Sequence, residues 1–285
     1  MTLREEIAEA KDENRAIAHF NVSDSTQLSG VLRAARRAEE PVIIGVSEGE
    51  GEFIGLTAIA ALVRAARDGG QHVYLNADHS YSLERAKAAI DAGFDAVIID
   101  GAKLSFEENM EMTRATVAYA RGNEREVLVE GELGYIGTSS KILDKLPEGV
   151  AVTEESMTSP EELSRFVAET GVDLIAPAVG NVHGIIATGD PRLSITRINA
   201  LVGASTVPLV LHGGSGTTEE DFRSAVKAGI RIIHINTELR VAYRKGIEES
   251  LKNDPKEIAP YKFLSGGRDA VEKVAYERIM LFARP

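Results

Sequence analysis

The chain has 285 residues, 44% hydrophobic and 27% charged, enough for one large barrel or two ordinary domains with a sizeable core. Its 32 Lys and Arg against 44 Asp and Glu leave a formal charge of -12, which argues against a general nucleic-acid binder with its basic face. With no cysteines, disulfides and thiolate ligands are excluded, so a tight metal site must use His and carboxylates. No run approaches the ~18 apolar residues of a membrane span. The charged, helix-like start Met1-Thr2-Leu3-Arg4-Glu5-Glu6 is unlike a signal peptide, so a cytoplasmic protein with no membrane partner is expected.

Short β-branched runs alternate with longer helical patterns along the whole chain. In order, the expected elements are strand Ala16–Asn21, helix Ser25–Ala38, strand Pro41–Val46, helix Leu56–Asp68, strand Val73–Asn76, helix Ser82–Ala92, strand Ala96–Asp100 and helix Phe106–Arg121. Then come strand Val127–Glu130, helix Pro160–Glu169, strands Leu174–Pro177 and Pro208–Leu211, helix Thr218–Ala228 and strand Arg231–Ile235. Gly93, Gly171 and Gly229 each sit between a helix and the next strand, where a left-handed residue turns the chain back. Repeated βα units with strands apolar enough to be covered on both faces predict a closed parallel (β/α)8 TIM barrel, a single domain over 1–285. The rival, a doubly wound open sheet, calls for a Gly-rich turn after the first strand, and Asn21-Val22-Ser23-Asp24-Ser25 has none. Residues 134–157 form a long polar connection after strand five, either an active-site lid or a plain surface excursion. Residues 254–285, with Gly266-Gly267-Arg268 expected to open a helix, read as a C-terminal arm.

His79, His183 and His212 each fall just past the end of a predicted strand, the third, sixth and seventh, and in a barrel those three loops converge on one rim. Three neutral imidazoles with an open position form a recurring catalytic zinc arrangement. Asp78, beside His79, is placed to move a proton in the same cavity, or else caps a helix or orients a His N–H. Glu132 is a fourth or alternative ligand, or a base. The loop His212-Gly213-Gly214-Ser215-Gly216 and Asn236-Thr237-Glu238 after the last strand lie where barrels often hold a phosphate on backbone N–H groups.

Five stretches carry a family resemblance: Ala18-His19-Phe20-Asn21-Val22, Asp78-His79, Glu130-Gly131-Glu132-Leu133-Gly134, Gly180-Asn181-Val182-His183-Gly184 and Leu211-His212-Gly213-Gly214-Ser215-Gly216. By these the chain resembles the class II, metal-dependent fructose-bisphosphate and tagatose-bisphosphate aldolases. The resemblance implies that His79, His183 and His212 bind Zn2+ or another divalent ion, with Glu132 near an alternative position. Asp78 would be the proton donor and acceptor at the aldehyde oxygen. Gly184, Gly213, Ser215 and Thr237 would hold the phosphate of dihydroxyacetone phosphate, helped by Na+ or K+ on the backbone of Val182, Gly184 and Gly213. Asn21, Ser47 and Asn236 would line the pocket, and the enzyme would be a homodimer or homotetramer acting on a phosphorylated sugar.

Four features depart from the family pattern. The acid expected as enediolate base, seven or eight residues after Glu132, is replaced by Ser139 and Ser140, leaving Asp144, Glu148, Glu154 and Glu155 as substitutes. Ala187 stands where a Lys is common. His234 stands where the last strand usually has Asn, and either contacts substrate or fills the barrel interior. Ser265 replaces the basic residue expected for the distal phosphate, leaving Lys262 and Arg268 as its nearest neighbours for that role. Fructose 1,6-bisphosphate is therefore the first expected substrate, with tagatose 1,6-bisphosphate or another ketose 1-phosphate as the alternative. A metal-dependent hydrolase on the same barrel is the reading of another class.

Overall fold

The computed structural model describes residues 1–137, 141–186 and 192–285. Ten strands occur among them: β1 Ile17–Asn21, β2 Val42–Ser47, β3 Val73–Ser80, β4 Ala96–Ile99, β5 Leu128–Leu133, β6 Ile142–Leu143, β7 Leu174–Pro177, β8 Ile185–Ile186, β9 Leu209–Leu211 and β10 Ile230–Ile235. Eight close a parallel barrel in the order β1-β10-β9-β7-β5-β4-β3-β2, and β6 pairs with β8 in a separate two-stranded ladder. The barrel, not the open sheet, is therefore the fold. The helices between strands begin and end on local chemistry. Ser105 and Glu108, like Ser159 and Glu162, exchange side-chain and backbone bonds at a helix start, and Gly93 and Gly171 take the left-handed conformation at the other end.

The interior is layered, as the two-residue period of a strand requires. The floor takes one residue from each barrel strand: Ile17, Ile43, Tyr74, Ala96, Leu128, Leu174, Val210 and Ile232. These pack with Leu3, Ile7 and Ala10 of the helix Leu3–Asp12, which closes the bottom. Arg4 of that helix and Arg121 both reach Asp173, at 2.7 and 2.8 Å, while the Asp173 carboxylate accepts the Val129 N–H at 2.9 Å. Two residues further along each strand the layer turns polar: His19, Gly45, Asn76, Glu130, His212 and His234, with Ile98 and Ala176 as its apolar members. Another step on come Asn21, Ser47, Asp78 and Glu132, at the open end. The apolar floor keeps water from below, so the polar layers face one another and the rim.

Three expectations change. β3 and β5 run beyond their expected ends, to Ser80 and Leu133, so Asp78, His79 and Glu132 belong to strands and not to loops. Polar residues inside a barrel mouth read as loop in a sequence, although they still extend the ladder. The C-terminal helix starts at Pro260, with Gly266 and Gly267 inside it. Those glycines, with Gly246, let this helix and the helix Thr237–Asn253 approach closely, because a Cβ on Gly246 would lie 2.3 Å from the Gly266 carbonyl oxygen.

Candidate metal centre

Between Ala77 and Ser80 the register of β3 against β4 shifts, and His79 takes φ of 54°, the left-handed region. A regular strand would send consecutive side chains to opposite faces. The irregularity instead brings the Asp78 and His79 side chains to one cavity, with His79 Nε2 3.7 Å from Asp78 Oδ1. A left-handed non-glycine residue costs on the order of 1–3 kcal/mol and occurs mostly at functional sites.

His79, Glu132, His183 and His212 converge there, each offering one ligand atom, all within 4.8 Å of one another. His79 Nε2, His183 Nε2, His212 Nδ1 and Glu132 Oε2 are buried and have no hydrogen-bond partner among the described residues. The opposite ring atoms of two ligands are taken: His79 Nδ1 donates to Asp100 at 2.9 Å, and His212 Nε2 donates to Glu130 at 2.8 Å. Such carboxylate partners fix the tautomer and turn the free nitrogen inward, as is usual around a bound divalent ion. The donor set, three imidazoles and a carboxylate, fits zinc or a similar ion. Asp100 and Glu130 escaped the reading of the sequence; Glu130 carried one signal, lying two residues before Glu132 on the same strand face.

Opposite charges hold the cluster together. Burial opposes a proton on His79, but Asp78, Glu132 and Asp100 overcome it and hold the imidazole well above its ordinary pKa. Burial likewise opposes His212, and its bond to Glu130 together with the Glu132 carboxylate 3.4 Å from Nδ1 outweighs that, pushing it up to about 9. Burial, with the charge on His79, lowers His183 to about 3. For Glu132 burial pulls upward, yet His79 and His212 keep the carboxyl well below its ordinary range.

A pocket of about 280 Å³ opens above the cluster. Asn21, Ser47, Asp78, His79, His183, Gly184, Gly213, Ser215, His234, Asn236 and Thr237 all line it. Asp78 Oδ2 accepts the Asn21 amide at 2.7 Å, and the second Asn21 contact, 3.0 Å, goes to Glu50. Glu50 also accepts the Ser47 N–H and hydroxyl at 2.9 and 2.8 Å and the Arg240 guanidinium at 2.6 Å, so this buried carboxylate organises one wall. Glu50 did carry a signal in the sequence, because Ser47 and Glu50 have the spacing of a capping box at the start of the short helix Glu48–Ile54. On the opposite wall Ser215 Oγ accepts the N–H groups of Asn236 and Glu238, each at 3.3 Å, at the start of the helix Thr237–Asn253. Val182, Gly184 and Gly213 line a smaller adjoining pocket of about 60 Å³, and Gly184 and Gly213 hold φ of 98° and 61°.

His234 lies in the interior, with its ring stacked on His19 at 3.5 Å and on His212 at 4.2 Å, while still lining the pocket. Asp78 caps no helix, since Ser82 does so for the helix that follows. Lys262 and Arg268 do not line the pocket; they pair with Glu257 and Asp269 at 2.7 Å each. Arg240 is the one Lys or Arg among the described lining residues. Of the four substitute acids, none lines the pocket, and Glu154 is bound to Ser194 at 2.7 Å and Arg197 at 3.2 Å. Ser139, Ser140 and Ala187 fall outside the described residues.

A parallel barrel with three histidines, a carboxylate and a second acid gathered at the same rim defines a metal-dependent barrel enzyme. The chain matches the family described as fructose-bisphosphate aldolase class-II over residues 1–284, and it belongs to that family of lyases. It is 35% identical over 286 residues to the fructose-bisphosphate aldolase of Geobacillus stearothermophilus, covering 99% of this chain and 96% of that one. Its identity to the Staphylococcus aureus fructose-bisphosphate aldolase is 33% over 290 residues, again with 99% and 96% coverage. Among solved structures, the YdjI aldolase of Escherichia coli K12 superposes with a TM-score of 0.83 at 30% identity, covering 99% and 97% of the two chains. Among the described residues no helix is long and apolar enough to cross a membrane.

Proposed function

We propose that this chain catalyses the reversible aldol cleavage of fructose 1,6-bisphosphate to dihydroxyacetone phosphate and glyceraldehyde 3-phosphate, as a zinc-dependent cytoplasmic homo-oligomer. The observation that carries the reading is the set of four buried ligand atoms beside Asp78 without a hydrogen-bond partner among the described residues, at a pocket lined also by Gly184, Gly213, Ser215, Asn236 and Thr237. His79, His183, His212 and Glu132 would hold the ion, and when bound it supplies stabilisation of negative charge on substrate oxygen.

The protein's own groups do the rest. Burial raises Asp78, but His79 and then His234 and His19 outweigh it and keep the carboxyl well below its ordinary range, ionised and ready to accept a proton. With Oδ2 fixed by Asn21, Oδ1 is the atom that takes the proton from the substrate hydroxyl during cleavage and returns it to the aldehyde oxygen in condensation. Gly184, Gly213, Ser215, Asn236 and Thr237 form the phosphate cradle, with Na+ or K+ on the carbonyls of Val182, Gly184 and Gly213. Residues 134–157 act as the lid, and one of Asp144, Glu148, Glu154 or Glu155 supplies the base once the lid closes.

A second reading, cleavage of a tagatose derivative or another ketose 1-phosphate, has one observation in its favour. Arg240 is the one Lys or Arg of the described lining, it is shared with Glu50, and neither Lys262 nor Arg268 reaches the pocket, so the aldehyde end has little to hold a second phosphate. Release of triose phosphate from fructose 1,6-bisphosphate, with and without a chelator, tests both. Chelator-insensitive cleavage, or Asp78→Ala retaining full rate instead of losing ~10²–10⁴-fold, overturns the mechanism. Activity on a ketose 1-phosphate alone overturns only the substrate.

A further inference from the structure

Asp78, the acid to which the proposed function gives the proton transfer, sits on an irregular stretch of the barrel. The ladder from β3 to β4 shifts between Ala77 and Ser80, so Asp78 is steadied from its other side, where Ser47 of β2 is its register partner. Its Oδ2 accepts from Asn21 Nδ2 at 2.7 Å, while Oδ1 has no hydrogen-bond partner among the described residues. The same Asn21 nitrogen donates to Glu50 Oε2 at 3.0 Å, so one amide group bridges two carboxylates. Asn21, Glu50 and Asp78 are all buried.

An asparagine amide turns about a broad, roughly two-fold torsion and can present either its oxygen or its nitrogen to a neighbour. Facing Asp78 alone, it would be held by one bond. The second acceptor takes the other hydrogen of the same nitrogen and fixes the flip, because the amide oxygen turned this way would meet two acceptors. Glu50 is itself anchored. Its Oε2 accepts the Ser47 N–H and hydroxyl at 2.9 and 2.8 Å, which ties it to the end of β2. Its Oε1 accepts the guanidinium of Arg240, on the helix Thr237–Asn253, at 2.6 Å. Capping the helix Glu48–Ile54 requires the bonds to Ser47 and no others. The bonds to Asn21 and Arg240 go beyond a cap, and the first of them leads to Asp78.

We propose that Glu50 is a positioning residue for the proton transfer: through Asn21 it holds Asp78 with Oδ1 available to the substrate. Glu50 does not itself line the pocket, so it acts through its neighbours. This role deepens the aldolase reading and rests on it. In cleavage the substrate hydroxyl gives its proton to Asp78 as the carbon–carbon bond breaks; the hydroxyl carbon leaves as the aldehyde, and the other carbon keeps the electron pair and is protonated later. In the partial reaction dihydroxyacetone phosphate gives a carbon-bound hydrogen to the lid base and takes one back from water. No aldehyde oxygen takes part in that exchange. A residue that acts through Asp78 therefore alters cleavage and leaves exchange alone.

Both rates are measured on the full chain loaded with Zn2+, as triose phosphate release from fructose 1,6-bisphosphate and as deuterium entry into dihydroxyacetone phosphate followed by proton NMR. Glu50→Gln should lower kcat for cleavage by ~10–10²-fold, the loss expected of a misplaced catalytic group, with exchange and bound Zn2+ unchanged. Glu50→Asp keeps the charge but is one methylene short of spanning Ser47 and Asn21. It should show the same split, so either variant serves if the other fails to fold. In an Asp78→Ala background Glu50→Gln should add no further loss, since the acid it places is gone. Equal losses of cleavage and exchange, an undiminished cleavage rate, or a loss that persists beside Asp78→Ala would each overturn the positioning role while the aldolase reading stands. An unaltered protein that neither cleaves nor exchanges overturns that reading, and this role with it.

Discussion

Glu130→Gln isolates what a carboxylate behind a ligand contributes. Glu130 and His212 both have fully buried side chains, and their 2.8 Å bond leaves His212 Nδ1 as the inward-facing donor. Glutamine keeps the volume and its carbonyl still accepts the Nε2–H, so the tautomer survives while the negative charge goes. Burial already raises the Glu130 pKa, and the bond to His212 offsets that only in part, so the carboxylate is held in place by its histidine. Loss of such an outer partner typically costs 10–100-fold in metal affinity, or about 1.4–2.8 kcal/mol at 1.4 kcal/mol per tenfold. Competition with a chromogenic chelator at fixed pH measures it. The same substitution should lower His212 from about 9, because it removes the strongest of its attractive partners. An affinity unchanged within experimental error, in a protein that keeps its secondary structure, would refute the idea that Glu130 tunes the ligand.

Three further outcomes follow from the same geometry. His79 and His212 are protonated at neutral pH in the metal-free protein, and ligands must be neutral, so loading Zn2+ at pH 7 should release roughly two protons per ion, with affinity falling as the pH drops below about 9. Calorimetry in buffers of different ionisation enthalpy reads the number, and no release would contradict it. At the barrel floor, burial pulls Asp173 upward but Arg121, Arg4 and the Val129 N–H hold its carboxyl below the ordinary range. Its ion pairs therefore stabilise the fold above the unfolded pKa of about 3.9 and lose that effect as pH falls below it. The Tm deficit of Asp173→Asn should be largest near pH 7 and vanish in acid; a deficit that grows in acid would reverse the assignment. Gly246→Ala forces the two C-terminal helices apart at a 2.3 Å contact with backbone. Overpacking of about 1–3 kcal/mol should lower Tm by roughly 2–10 °C, and an unchanged melting curve would refute the close crossing.

Much of the barrel could be read from the chain because its signals are local. β-branched runs, first-turn acids and Gly at helix ends act within a few residues, and helices such as Phe106–Arg121 appear where those signals place them. His79, His183 and His212 stood out because three histidines at three converging strand ends, in a chain with no cysteine, point to one site. Their supports did not. Asp100, Glu130 and His19 look like ordinary strand residues, and Glu50 like a helix-start acid; only closure of the barrel brings them to the metal ligands. A period-two step would have found several, since Glu130 precedes Glu132, His19 precedes Asn21 and Asn76 precedes Asp78 on the same inward face. The reach of β3 was also hidden, because Asp and His are poor strand formers and the irregular register at Ala77–Ser80 depends on β4.

The bare backbone at Gly45 has a consequence for how this barrel can diversify. The imidazole of His19 occupies the space that any side chain at position 45 would need. The two positions are thus coupled by sterics: a lineage can gain a residue at 45 only after shrinking the one at 19, and the reverse order passes through an overfilled barrel. Relatives that carry a small residue at 19 are expected to vary at 45, and those that keep histidine are expected to keep glycine there. The order of substitutions, as much as their identity, is written into the middle layer of the barrel.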